Sequence, residues 1–164
     1  MMRHLVHTLA LLALATSFLA CSDDSCQDNG SSLPLVTLYM GGTQQPIAGL
    51  TIMGIDAPGD SVLEKSSTVK EVYLPLRATT GTTSYAIRRV VTTTSGQSTI
   101  DDTLTLTYDP IEYFHSMECG VMYNFSIKSV TCTTHGIDSI ALLSQLVTNS
   151  RTPVMRIYFT DFQQ

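Results

Sequence analysis

The hexapeptide Thr103-Leu104-Thr105-Leu106-Thr107-Tyr108 alternates polar and apolar residues without interruption. Successive side chains of a strand point to opposite faces, whereas helical neighbours recur every three or four residues, so this pattern fits a half-buried strand and no amphipathic helix. Leu104, Leu106 and Tyr108 are expected in a core, with the three threonines on the opposite face.

The flanking sequence extends the same reading. Leu35–Met40, set between Pro34 and Gly41-Gly42, is expected as a first strand, and Leu50–Ile55 as a shorter second one. Residues 56–60 read as a turn and Glu64-Lys65-Ser66-Ser67 as a polar break. Val69–Leu76 is rich in β formers, with Pro75 marking a strand end or an edge position. Thr83–Thr93 carries the Thr, Tyr, Ile and Val that strands prefer, and Ser95-Gly96-Gln97 reads as a turn. Asp109-Pro110 is expected to end the alternating strand, leaving the residues through Glu118 as a connection. Val121, Tyr123, Phe125 and Ile127 alternate inward, while Val130 and Cys132 fall on the opposite parity, which calls for a bulge near Ser129. Gly136 makes another turn. Ile137–Val147 is expected as a strand, although Ile137, Ile140 and Leu143 would also line one face of a helix; Val154–Phe159 is the last strand.

Seven or eight short strands, with turns about every ten residues, predict an all-β fold: an antiparallel β-sandwich of immunoglobulin-like type. The Cys-Trp-Cys pattern of antibody domains is absent, since the chain has no Trp.

The amino-terminal segment belongs to no such fold. Met1-Met2-Arg3-His4 is a short basic start, and Leu5–Leu19 is an apolar run too short for a spanning helix. The run closes on Ala20-Cys21 and meets Ser22-Asp23-Asp24-Ser25-Cys26. A small residue and then a cysteine at the end of a leader is a lipobox, in which the cysteine is linked to diacylglycerol and the leader is cut before it. Cys21 is the expected lipidation site, and the chain divides into a signal peptide at 1–20, a lipidated tether at 21–32 and a β-sandwich domain at 33–164.

With Cys21 acylated, Cys26, Cys119 and Cys132 remain, and an odd number outside the cytoplasm implies one bridge and one spare thiol. Cys119 and Cys132 on one continuous strand would stand roughly 40 Å apart, beyond the ~7 Å limit for a bridged Cα pair. Cys26 to Cys119 is thereby favoured over Cys26 to Cys132 or a locally folded Cys119 to Cys132.

Fourteen acidic residues against nine basic ones give a net charge of −5, and nothing basic clusters beyond Arg88-Arg89, so no nucleic-acid surface is expected. Candidate chemistry is sparse. His115 with Cys119 has the residue types of a thiol nucleophile and its base, and Cys132, His135 and Cys119 those of a zinc site. Glu112 and Glu118 have the composition of a glycosidase pair, and equally of a solvated loop. Tyr39, Tyr73, Tyr85 and Tyr113 are the aromatic groups a glycan could stack on. No Gly-x-Ser-x-Gly elbow, His-Glu-x-x-His helix or Gly-rich phosphate loop is present, so no catalytic residue, cofactor or metal is expected.

The lipobox, Cys26 five residues beyond it, Leu74-Pro75-Leu76, Leu104-Thr105-Leu106-Thr107-Tyr108, Cys119-Gly120 and Ile157-Tyr158-Phe159, in that order, resemble a domain-of-unknown-function family of small Bacteroidota lipoproteins. The resemblance implies an uncharacterised cell-envelope β-domain and no activity. It implies that the cysteine near the anchor and that of Cys-Gly are the recurring two, which favours Cys26 to Cys119 and leaves Cys132 as the extra. Ser22-Asp23-Asp24 resembles the acidic signal that routes such lipoproteins to the cell surface. Asp60-Ser61-Val62, Asp102-Thr103-Leu104 and Asp138-Ser139-Ile140 resemble their O-glycosylation sites, with Ser61, in an expected turn, the best placed.

The sequence thus leads to a non-enzymatic lipoprotein anchored at the outer membrane, on its surface-exposed or its periplasmic face. Its sandwich is expected to bind an envelope protein or a glycan. A small hydrolase or thiol enzyme working through Cys132 or His115, and a carbohydrate-binding module, are the alternatives.

Overall fold

The computed structural model describes residues 32–57, 62–94, 96–117 and 119–162. The leader, Cys21, Ser22, Asp23, Asp24, Cys26 and Ser61 lie outside the described residues. Every regular element within them is a strand: β1 Leu35–Met40, β2 Thr43–Gln44, β3 Ile47–Gly54, β4 Val62–Val69, β5 Glu71–Tyr73, β6 Thr82–Thr93, β7 Gly96–Ser116, β8 Gly120–Cys132, β9 Ile137–Leu142, β10 Leu146–Val147 and β11 Pro153–Phe159.

Two sheets pack face to face as a sandwich. In the first, β1 is flanked on one edge by β2 and β5 and on the other by β11, which in turn pairs with β9. The second runs β10-β8-β7-β6-β3-β4. The expectation of seven or eight strands counts the long ones, for three of the eleven have two or three residues. Pairing is antiparallel except between β1 and β11, which are parallel, Val36 opposite Met155 and Leu38 opposite Ile157.

The inward faces meet in one apolar core. Val36, Leu38, Met155 and Ile157 line it from the first sheet, and Leu50, Ile52, Tyr85, Ile87, Leu104, Leu106, Phe125 and Ile127 from the second. Tyr108 brings a hydroxyl into this core and satisfies it fully: the oxygen accepts from the Arg77 N–H (2.9 Å), donates to the Arg77 carbonyl (2.9 Å) and lies 2.6 Å from the Thr83 hydroxyl. Its ring meets Phe125 edge-on at 5.3 Å. A buried polar group costs nothing like its full desolvation penalty when partnered in this way.

Several local expectations change for identifiable reasons. Glu64-Lys65-Ser66-Ser67 lies inside β4, not in a break. β4 is an edge strand paired to β3 alone with repeated register shifts, and Ser66 has a positive φ of 46°, so polar residues and an irregular ladder are tolerated there. The second strand is longer than Leu50–Ile55 and begins at Ile47. Gly49 within it (φ 67°) is irreplaceable, because a Cβ would lie 2.5 Å from the Val90 carbonyl oxygen. Val69–Leu76 shrinks to β5, an edge strand ending before Pro75. Ile137–Val147 is extended, but it divides, β9 joining the first sheet and β10 the second. The bulge near Ser129 is present: Thr107 pairs with Ser129 and Tyr108 with Ile127, leaving Lys128 as the extra residue.

Candidate interaction surface

The largest departure is at Asp109-Pro110, where β7 does not end but continues to Ser116. β6 stops alongside at Thr82, opposite Thr107, so beyond that rung β7 keeps only β8 for a neighbour. Pro110 therefore sits where a missing N–H need not break a central ladder. The result is a two-stranded arm, Ile111–Ser116 paired to Gly120–Asn124, beyond the rungs at Phe125 and Ser126 where β10 still flanks β8. Its turn is compatible with the positive φ of Gly120 (69°), and the Cys119 N–H donates to the Ser116 hydroxyl at 3.1 Å.

The arm carries apolar side chains that are left exposed among the described residues. Phe114 stands directly opposite Val121 on one face, and they are 63% and 57% exposed. Met117 in the turn is 88% exposed. Tyr113 opposite Met122 and the exposed Ile111 occupy the other face. Val121 corrects the sequence expectation, since of the four residues assigned inward only Phe125 and Ile127 are buried, with Tyr123 packed at the core's margin. Near the base of the arm the Ser32 hydroxyl donates to the Asn124 side-chain oxygen (2.8 Å), so the described chain enters the domain beside the arm. A cavity of about 310 Å³ lies there, between Leu33, Pro75, Leu76 and Val121.

At the other end of β8 lies a corner of opposite character. Asp102 shares the inward parity of Leu104 and Leu106 and is buried. Its carboxylate accepts from the Thr133 hydroxyl (2.7 Å) and from the N–H groups of His135 (2.8 Å), Gly136 (2.7 Å) and Ile137 (2.9 Å). Burial alone would raise its pKa, but these bonds outweigh burial and hold it below the ordinary carboxylate range. Arg89 makes a second polar clamp between the sheets. It donates to the Thr160 carbonyl (2.8 Å) and stands 5.8 Å from the Phe159 ring centroid, and burial draws its pKa down.

The zinc candidates are dispersed by this architecture, whereas His115 and Cys119 both lie at the end of the arm, the Cys119 N–H on Ser116. Cys119 and Cys132 stand at opposite ends of β8, roughly 40 Å apart at strand rise. Cys132 is a free thiol, pushed upward in pKa by burial and then by the Asp102 carboxylate, and Cys119 is not one. His135 turns its Nδ1 to the Asp101 carbonyl oxygen at 3.0 Å, whereas His115 packs edge-on against Tyr113 in the arm. No cluster of three metal-ligating side chains occurs among the described residues. Glu112 receives the Tyr123 hydroxyl at 3.4 Å, while the side chain of Glu118 lies outside the described residues. Of the four candidate tyrosines, Tyr85 is buried with its hydroxyl on the Pro75 carbonyl, and burial raises its pKa. Tyr39 lies against Tyr158 at 5.1 Å and a 43° tilt, beneath the Arg156 guanidinium. The Asp102-Thr103 glycosylation pattern places its acid in the core, whereas Asp138 and Ser139 are exposed.

The signals for the two missed features were local. An acid on the core parity of an alternating strand, Asp102, marks a buried anchor, and apolar Phe114 and Met117 are out of place in a solvated connection.

No curated protein and no solved structure matches this chain. A family profile does, over residues 49–159, a span that takes in the arm, Cys119 and the Asp102 corner and leaves Cys21 and Cys26 upstream. The chain belongs to DUF6452, a family of unknown function.

Proposed function

We propose that this protein is a non-enzymatic, lipid-anchored protein of the bacterial outer membrane, of the Bacteroidota type, whose immunoglobulin-like sandwich serves as a binding or assembly module. The observation that carries a binding role is the arm: Phe114, Met117 and Val121 are exposed together, and large apolar side chains gathered at one surface mark interaction sites. The anchor is supported by the apolar run from Leu5 that closes on Ala20-Cys21, with diacylation of Cys21 and amino-terminal acylation together giving stable attachment. A bridge from Cys26 to Cys119 belongs to the same proposal, supported by the free state of Cys132. It would tie the tether to the arm's turn. Ser22-Asp23-Asp24 as a surface-export signal and Ser61 as a glycan acceptor are its further parts. The envelope partner is a protein or a glycan.

A thiol enzyme would need a thiolate, and both influences on Cys132 favour the protonated thiol, which supports the non-enzymatic reading. The test is Cys21→Ser in cells fed a clickable fatty acid. Label and membrane retention should both be lost; persistence of both would remove the anchor and the localisation with it.

A further inference from the structure

We infer that the tip of the β7–β8 arm is a lipid contact, the Met117 turn and the strand ends beside it resting in the interfacial zone of a bilayer. This deepens the anchor reading and rests on it: it makes the membrane the partner of the arm and leaves the loops at the opposite end of β7 to an envelope protein or glycan. The distribution of apolar groups selects lipid over protein. Phe114 and Val121 lie on one face of the ribbon, the half-buried Tyr113 and Met122 on the other, and Met117 at the turn, so no single flat partner surface reaches all of them. A medium that surrounds the tip satisfies all three, and Tyr is a side chain favoured at the water–lipid boundary.

The path of the chain keeps the tip within reach of the bilayer. Ser32 is fixed to Asn124 on the arm, and Cys21 precedes Ser32 by eleven residues, a reach of at most about 40 Å. A Cys26 to Cys119 bridge shortens the path from lipid to turn to five residues, about 18 Å. Charge sets the kind of lipid surface. Asp109 is held by Lys128 at 2.6 Å and Glu112 receives Tyr123, so the described part of the arm presents no cationic cluster for anionic headgroups. Attachment is therefore by apolar burial and insensitive to salt. Depth is limited by the backbone, since a ribbon with open edges cannot enter hydrocarbon with its hydrogen-bonding groups unpaired. The tip stays in the outer ~5–10 Å that interfacial segments occupy.

The absence of Trp makes the test direct. Met117→Trp in the lipidated mature chain, reconstituted in phosphatidylcholine vesicles, should show blue-shifted emission quenched by lipids brominated near the headgroup. Thr94→Trp, in the exposed turn at the other end of β7, should stay water-like and unquenched. With Cys21→Ser, the same vesicles should bind the Met117→Trp chain weakly and independently of salt. Adding Phe114→Ser and Val121→Ser should lower that binding at least about tenfold, each exposed side chain contributing part of its transfer free energy. Water-like, unquenched emission from Trp at 117 in a chain whose amino-terminal peptide carries lipid would overturn the arm's role and leave the anchor standing. An unlipidated amino-terminal peptide would overturn the anchor, and the Cys21→Ser chain at excess lipid would then decide the arm alone, no binding overturning it. Blue-shifted emission in native envelopes without bromolipid quenching would assign the tip to a protein partner and overturn the inference.

Discussion

β7 is one strand with two fates. From Leu104 to Thr107 it runs between β6 and β8, with the first sheet packed across its inner face, and Leu104 and Leu106 are wholly buried. From Asp109 to Ser116 it has β8 alone, and Ile111 and Phe114 are exposed. Both halves are extended and paired, so strand formation and burial are separate events: a ladder needs one neighbour, a core needs a second layer. The polar groups divide in the same way. Asp102, near the covered half, is met by four donors from residues 133–137, whereas Glu112 on the arm has one long bond from Tyr123.

The difference should appear first in stability. Leu106→Ala is expected to cost about 2–5 kcal/mol through lost transfer energy and the cavity left behind. Phe114→Ala should stay within about 0.5 kcal/mol, as for surface positions generally. Urea midpoints at constant slope measure both, and a Phe114→Ala loss equal to that of Leu106→Ala would mean that the protein itself covers the arm.

Next in size is Asp102→Ala, which strands the buried N–H groups of Gly136 and Ile137 and should cost about 3 kcal/mol. Because the folded carboxyl is held below its unfolded value of about 3.9, its contribution is complete above that pH and is lost as pH falls through the folded value. The stability gap between the native protein and Asp102→Asn should therefore narrow on acidification from pH 5 toward pH 2. A gap independent of pH in that window would mean that Asp102 acts by shape alone.

The smallest effect among the buried groups concerns the last covered residue of β7. Tyr108→Phe keeps the ring against Phe125 but removes the hydroxyl that joins Arg77 and Thr83, and should cost about 1–2 kcal/mol. An unchanged thermal midpoint would show that water replaces the hydroxyl and that the covered half is less dry than its burial indicates.

Much of the frame was legible along the chain. Alternation identifies the inward set Leu104, Leu106, Tyr108, Phe125 and Ile127, and the parity change predicts a bulge near Ser129, which the structure has at Lys128. The candidate surface was not legible in the same way. Val121 continues the parity of Phe125 and Ile127 yet is exposed, because parity names a face and says nothing about what lies across from it. Asp109-Pro110 reads as the end of the strand, but the end of β6 at Thr82 makes Pro110 an edge position, where a missing N–H is tolerated.

The sequence by itself determined the all-β character, the partition of side chains between two faces, and the acid on the core parity at Asp102. These depend on residues one and two positions apart, and φ/ψ preference and pleat act at that range. Only the tertiary structure decided that β1 and β11 pair in parallel from the two ends of the domain, that β9 and β10 part into different sheets, and that β7 outruns its cover. Each of those depends on which distant segment arrives beside a strand. That is settled by the packing of two whole sheets, where burial is shared among residues more than a hundred positions apart, such as Val36 and Met155.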